Sequence, residues 1–167
     1  ALGLYKSLFK VVSEAKQKKL PYVLFCEDDH QFTDNFEKIN LREQIFIADK
    51  LSADLLLGGV VWFDYGTRST SDIMWVHHFT GTQFLVIYSK FYDIILNTIF
   101  NSGDAIDEWL ARLSANKYLI NPMISIQKFF GYSDVTSNNS VDGLVDNLIL
   151  NTINKLKSLN NISNHFD

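Results

Sequence analysis

The sequence predicts an α/β fold, and three observations predict it. Strand-like apolar runs alternate with stretches whose apolar residues recur at helical spacing. The first such run, YVLFC at residues 22–26, ends on three adjacent carboxylates, Glu27, Asp28 and Asp29. The composition, 47% hydrophobic and 14% aromatic over 167 residues, is sufficient for one packed core. The expected organisation is a single domain over residues 1–159 with a disordered tail at residues 160–167.

Leu4, Leu8, Val11, Val12 and Ala15 repeat at helical spacing, and Pro21 stops that helix after Lys19. The apolar run at 22–26 reads as a strand buried on both faces, so Cys26 reads as a buried structural thiol. Thr33 or Asp34 caps a short helical turn, and residues 41–51 form a second helix. DLLLGGVVWF, residues 54–63, is a second buried strand, with Gly58 and Gly59 marking a bulge or a close backbone approach. Residues 64–72 are polar and turn-rich and read as a mobile loop. QFLVIY, residues 83–88, is a third strand; the helix after it runs from Ser89 to Phe100 on an inner face of Phe91, Ile94, Ile95 and Ile99. Residues 105–113 form a short amphipathic helix, 118–120 a strand, and 122–126 an apolar stretch that leads into Gln127. Residues 141–159 are helical by period, on Leu144, Leu148, Ile149, Ile153 and Leu156. That stripe could pack on the core, pair with a second copy or lie on a membrane surface; intramolecular packing is the expectation.

A net charge of −4, with Lys and Arg scattered along the chain, excludes nucleic acid as a main partner. Apolar runs such as LLLGGVVWF are too short to span a bilayer, which predicts no transmembrane segment. The single cysteine forms no internal disulfide and suits a reducing compartment. The expected localisation is cytoplasmic, with peripheral contact at a membrane face left open. The acidic triplet is the unusual feature. Three adjacent carboxylates repel one another unless a cation, a basic partner or a proton relieves the crowding. In open α/β sheets, moreover, ligands sit outside the carboxyl ends of strands.

Four ordered stretches carry a family resemblance: AKQKKLPYVLFCEDD, ADLLLGG, GTQFLVIYSKFYDIIL, and IDEWL followed by NPMISIQKFFGYSDV. Together they cover roughly residues 3–135. On these pieces the chain resembles the lipopolysaccharide-type glycosyltransferases, the family 25-like group that includes the collagen galactosyltransferases. The resemblance implies a GT-A-like, Rossmann-like mixed sheet flanked by helices. Measured against that pattern the chain lacks the first nucleotide-binding strand, so the domain reads as N-terminally incomplete.

The activity so implied is transfer of a hexose, with inversion, from a UDP-sugar to a glycan or protein-linked acceptor. Mn²⁺ or Mg²⁺ on hard oxygen ligands would neutralise the leaving diphosphate. Carried over motif by motif, Glu27 and Asp29 are the metal ligands. Asp28, Gly81, Thr82, Gln127, Ser133 and Asp134 bind the donor, and Asp107 is the catalytic base, with Asp104 and Glu108 as alternatives in neighbouring register.

Competing readings stand beside these. EDDH could be a solvated acidic turn, and Asp104 or Asp107 could cap a helix. Trp109 could stack on a sugar or belong to the core, and His30 could orient the triplet or face solvent. His77 and His78 point in opposite directions on an extended segment, so at most one serves a metal or diphosphate. At the level of the whole chain, the alternative is a non-catalytic binding or assembly module of the same fold. A metal-dependent phosphoesterase would need more His and Asp ligands in the late loops.

Overall fold

The computed structural model describes residues 2–101, 103–128 and 144–163. Helix α1 (Leu2–Gln17) leads to strand β1 (Tyr22–Cys26) and, after the acidic turn, to β2 (His30–Phe32) and helix α2 (Leu41–Lys50). Five short strands follow: β3 (Leu55–Leu57), β4 (Trp62–Phe63), β5 (Gly66–Arg68), β6 (Ile73–Val76) and β7 (Phe79–Thr80). Then come β8 (Phe84–Tyr88), α3 (Ser89–Asn97), α4 (Ile106–Leu113), β9 (Lys117–Ile120), β10 (Ser125–Gln127) and α5 (Leu144–Ser163).

The main sheet has six strands in the order β1-β8-β3-β9-β6-β5. It is mixed: β3 and β9 are parallel, and the other neighbours are antiparallel. Alternation along each strand sorts side chains onto two faces. Leu55, Leu57, Leu85 and Ile87 face the larger core with Leu8 and Val12 of α1, Phe91 and Ile95 of α3, Leu110 of α4, and Ile149 and Leu156 of α5. Leu56, Val86, Tyr88 and Ile120 face a smaller core closed by Ile45 and Ala48 of α2. The result is an α/β fold with helices on both faces of a mixed sheet, as the alternating periods require.

Several sequence expectations need correction. β1 lies at the sheet edge rather than between two neighbours, and its burial alternates because α2 does not cover the outer strand. Cys26 is therefore exposed, not a buried thiol. The run 54–63 is two strands in different sheets: the chain turns at Gly58 and Gly59, and β4 leaves to pair with β7. The close backbone approach expected there is real, since a Cβ on Gly59 would lie 1.8 Å from the Ser125 carbonyl oxygen. Residues 64–72 are not one loop but contain β5, paired with β6.

In α3, Ile94 is exposed and Ile99 lies beyond the helix and is exposed too, while Tyr92 takes an inner position with Phe91 and Ile95. The C-terminal helix packs on the protein's own core, with Thr152 Oγ1 donating to the Val61 carbonyl at 2.7 Å. It continues through residues 160–163, so the expected disordered tail is helical over that stretch. No helix among the described residues is long and apolar enough to cross a membrane.

Candidate functional site

The site is built where β1 stops. The Glu27 N–H still reaches the Gln83 carbonyl at 3.2 Å, but His30 N–H then bonds back to the Glu27 carbonyl at 3.3 Å. The triplet is thus a turn and not a continued strand. Its tip leaves Asp28 exposed, while Glu27 and Asp29 are half-buried. Asp28 is thus set apart from its neighbours by a turn and not by strand alternation.

Two neighbouring elements hold the outer carboxylates. Thr82, just before β8, donates its hydroxyl to Glu27 Oε1. Gln127, at the end of β10, donates from Nε2 to Asp29 Oδ2 at 2.6 Å, and the Asp29 carbonyl accepts from Lys128 N–H at 2.7 Å. β10 reaches Asp29 because it pairs antiparallel with β2, placing Gln127 opposite His30. Asp29 Oδ1 is buried with no hydrogen-bond partner among the described residues. Burial raises the Glu27 carboxyl to about 7; the Thr82 hydrogen bond opposes this, and the charges of Asp29, Asp107 and Asp28 add to it.

Asp107 enters from the first turn of α4, which packs against β7. Its Oδ2 accepts from Gly81 N–H at 2.9 Å and its Oδ1 from Glu108 N–H at 2.9 Å. Gly81 has φ +94, a backbone open to glycine at little cost, and a Cβ there would meet Val61 N at 2.9 Å. Neither Asp104 nor Asp107 is the α4 N-cap; that position is Ala105, with no side-chain bond. Asp104 is taken up by Asn101 N–H and Arg112, and Glu108 by His78. Of these three acids, only Asp107 contributes to the charge acting on Glu27.

Glu27, Asp29, Gly81, Thr82, Asp107 and Gln127 therefore converge from four separate stretches, with Asp28 at the turn tip. Ser133 and Asp134 lie outside the described residues. Trp109 is core: it is buried edge-on to Tyr5 and Phe100, and its Nε1 donates to the Ile99 carbonyl at 3.1 Å. His30 does not orient the triplet; its Nδ1 pairs with Ser125 Oγ at 2.9 Å and braces the β2–β10 ribbon. His78 Nε2 lies 2.6 Å from Glu108 Oε2 and His77 Nδ1 2.6 Å from Asp64 Oδ2, so each histidine has its own carboxylate.

Sequence reasoning missed Gln83. It is 1% exposed, and neither atom of its amide has a hydrogen-bond partner among the described residues. The signal was a glutamine opening an otherwise apolar strand, QFLVIY. Among the described residues, no three of His, Cys, Asp and Glu come together in a geometry able to hold a metal ion. No family model matches the chain, and no curated protein does.

Proposed function

We propose that the chain is a metal-dependent glycosyltransferase of GT-A-like architecture. It moves a hexose from a UDP-sugar to a glycan or protein-linked acceptor with inversion. The observation that carries this reading is the convergence of carboxylates from motifs 80 residues apart, Glu27 and Asp107, on the loop Gly81-Thr82 that touches both. A solvated acidic turn would not need half-buried like charges held by dedicated donors.

Glu27 and Asp29 fit Mn²⁺ or Mg²⁺. They offer hard oxygens, Asp29 Oδ1 is buried and unpartnered, and the mutual repulsion of the cluster is what a divalent cation relieves. Such ions keep much of their coordination for water and substrate phosphates, which suits a site with two protein ligands. When bound, the ion would neutralise the charge that develops on the departing diphosphate.

The protein's own residues divide the remaining work. Thr82 and Gln127 orient the two ligating carboxylates, as outer partners do in metal sites. Asp28, exposed at the turn tip, is free to meet the donor's ribose hydroxyls, and Gly81 lets the backbone approach closely. Ser133 and Asp134 enter the donor site on the resemblance alone. Asp107 takes the proton from the acceptor hydroxyl as its oxygen attacks the anomeric carbon and the bond to the diphosphate breaks. Gly81 and Glu108 N–H pin its carboxylate, so the base is held in one orientation.

Calorimetric titration of UDP with Mn²⁺, repeated with chelator and with Asp29→Ala, tests the reading. Metal-dependent binding that is lost in the variant supports it. A folded sample that binds no UDP under either condition counts against the transferase reading and favours the alternative, a non-catalytic module of the same fold.

A further inference from the structure

Beside Asp107 lies a surface that the donor chemistry does not use. β4 and β7 pair antiparallel, and beyond their ends the ladder continues through Asp64 N–H to the His78 carbonyl at 3.3 Å and His77 N–H to the Tyr65 carbonyl at 3.0 Å. These bonds set Tyr65 flat on His77, with ring centroids 4.4 Å apart and planes 7° from parallel. Tyr65 is nonetheless 56% exposed. Asp64 fixes the arrangement from below: Oδ2 meets His77 Nδ1, and Oδ1 accepts from Tyr65 N–H at 2.6 Å and His78 N–H at 2.9 Å. His78 then reaches Glu108, whose own N–H is bonded to Asp107.

Each of these groups keeps an open valence. His77 Nε2, His78 Nδ1 and Glu108 Oε1 have no partner among the described residues. Pairs that remain partly open to solvent add little to stability, so the fold gains little by ordering them. An exposed aromatic ring beside fixed imidazole and carboxylate edges is the chemistry that recognises a pyranose. The ring takes the apolar C–H face, and the polar edges donate to and accept from vicinal hydroxyls.

We propose that Tyr65, His77, His78 and Glu108 form a subsite for a pyranose of the acceptor. As an acceptor site this rests on the transferase reading; as a sugar-binding ledge it does not. Its place in the hydrogen-bonded chain that ends on Asp107 brings an acceptor hydroxyl toward the base. Asp64 is a positioning residue, acting through the two histidines.

The test is saturation-transfer NMR on the full chain with UDP and Mn²⁺ present, using methyl β-galactopyranoside and methyl α-glucopyranoside as probes. At least one probe should receive saturation. Tyr65→Ala should weaken its binding about tenfold, and Tyr65→Phe, which keeps the ring, should retain it. His78→Gln should weaken binding without changing the UDP affinity measured by calorimetry. Failure of both probes to bind, or binding unchanged in Tyr65→Ala, overturns the subsite. The two readings separate: UDP binding without pyranoside binding removes the ledge alone, and Tyr65-dependent pyranoside binding without UDP binding removes the transferase and leaves the ledge.

Discussion

Gln127 and Asp29 meet at 2.6 Å across 98 residues of sequence, and the oxygen of Asp29 that Gln127 does not hold is buried without a partner. A carboxylate held on one side by a dedicated donor, with its other oxygen buried and unpaired, is the feature on which the proposed metal role of Asp29 rests. Asp29→Ala should abolish Mn²⁺-dependent UDP binding while leaving the circular dichroism spectrum intact, because Asp29 sits in a turn outside the core. Gln127→Ala should be milder, weakening Mn²⁺ binding roughly 10- to 100-fold, the usual cost of losing an outer partner. Equal affinity in wild type and Asp29→Ala would remove this carboxylate from the site.

Asp107 poses a sharper kinetic test. Asp107→Asn keeps the shape and one acceptor oxygen for Gly81 N–H, but it cannot take a proton. Turnover should fall by roughly two to four orders of magnitude, the contribution of a general base, with the affinity for UDP nearly unchanged. A parallel loss of UDP affinity would instead make Asp107 a brace for the Gly81-Thr82 loop.

How much of this was legible in sequence follows the length of each element. α2, α3, α4 and β8 are long enough for their apolar periods to show, and their expected positions hold to within a few residues. β2, β4, β5, β7 and β10 are two or three residues each, too short to carry a period, and their pairings are decided by distant chain. The exposure of Cys26 has the same origin. It sits opposite Phe84 in register, yet α2 covers the inner strands and stops short of the edge. Asp104, Asp107 and Glu108 are equivalent by local pattern. What sets them apart is their tertiary partners, His78 for Glu108 and the Gly81 N–H, 26 residues away, for Asp107, and no local pattern shows these.

The Glu27 carboxyl gives a pH signature. Its ordinary value of 4.5 rises to about 7 in the fold, so between those limits the folded protein holds a proton that the unfolded chain has released. Stability should therefore be greatest below about 4.5 for this group, fall as pH rises through the window, and level off above about 7. Each pKa unit corresponds to about 1.4 kcal/mol, which bounds the effect at roughly 3 kcal/mol before solvent screening reduces it. Urea unfolding of metal-free protein from pH 4.5 to 8 checks this, with Glu27→Gln as reference. The variant should lose that part of the slope; identical slopes would place Glu27 in an ordinary, solvated environment.

Gly81 joins the fold to the chemistry and can be tested through both. Its φ of +94 strains any L side chain, and a Cβ would come within 2.7 Å of Gln83 Oε1 and 2.9 Å of Val61 N. The backbone conformation alone costs of the order of 1–3 kcal/mol, and the Val61 contact is with main chain that cannot rotate away. Gly81→Ala should therefore lower stability by about 2–4 kcal/mol. It should also displace the N–H that holds Asp107 and, one residue on, the hydroxyl that holds Glu27. Gly103→Ala is the control, because a Cβ there meets nothing within 4 Å and should change stability by no more than about 0.5 kcal/mol. If the site is as built, Gly81→Ala loses Mn²⁺-dependent UDP binding even at temperatures where it remains folded. Retained binding at full affinity would mean that the Gly81-Thr82 loop does not organise the two carboxylates it touches.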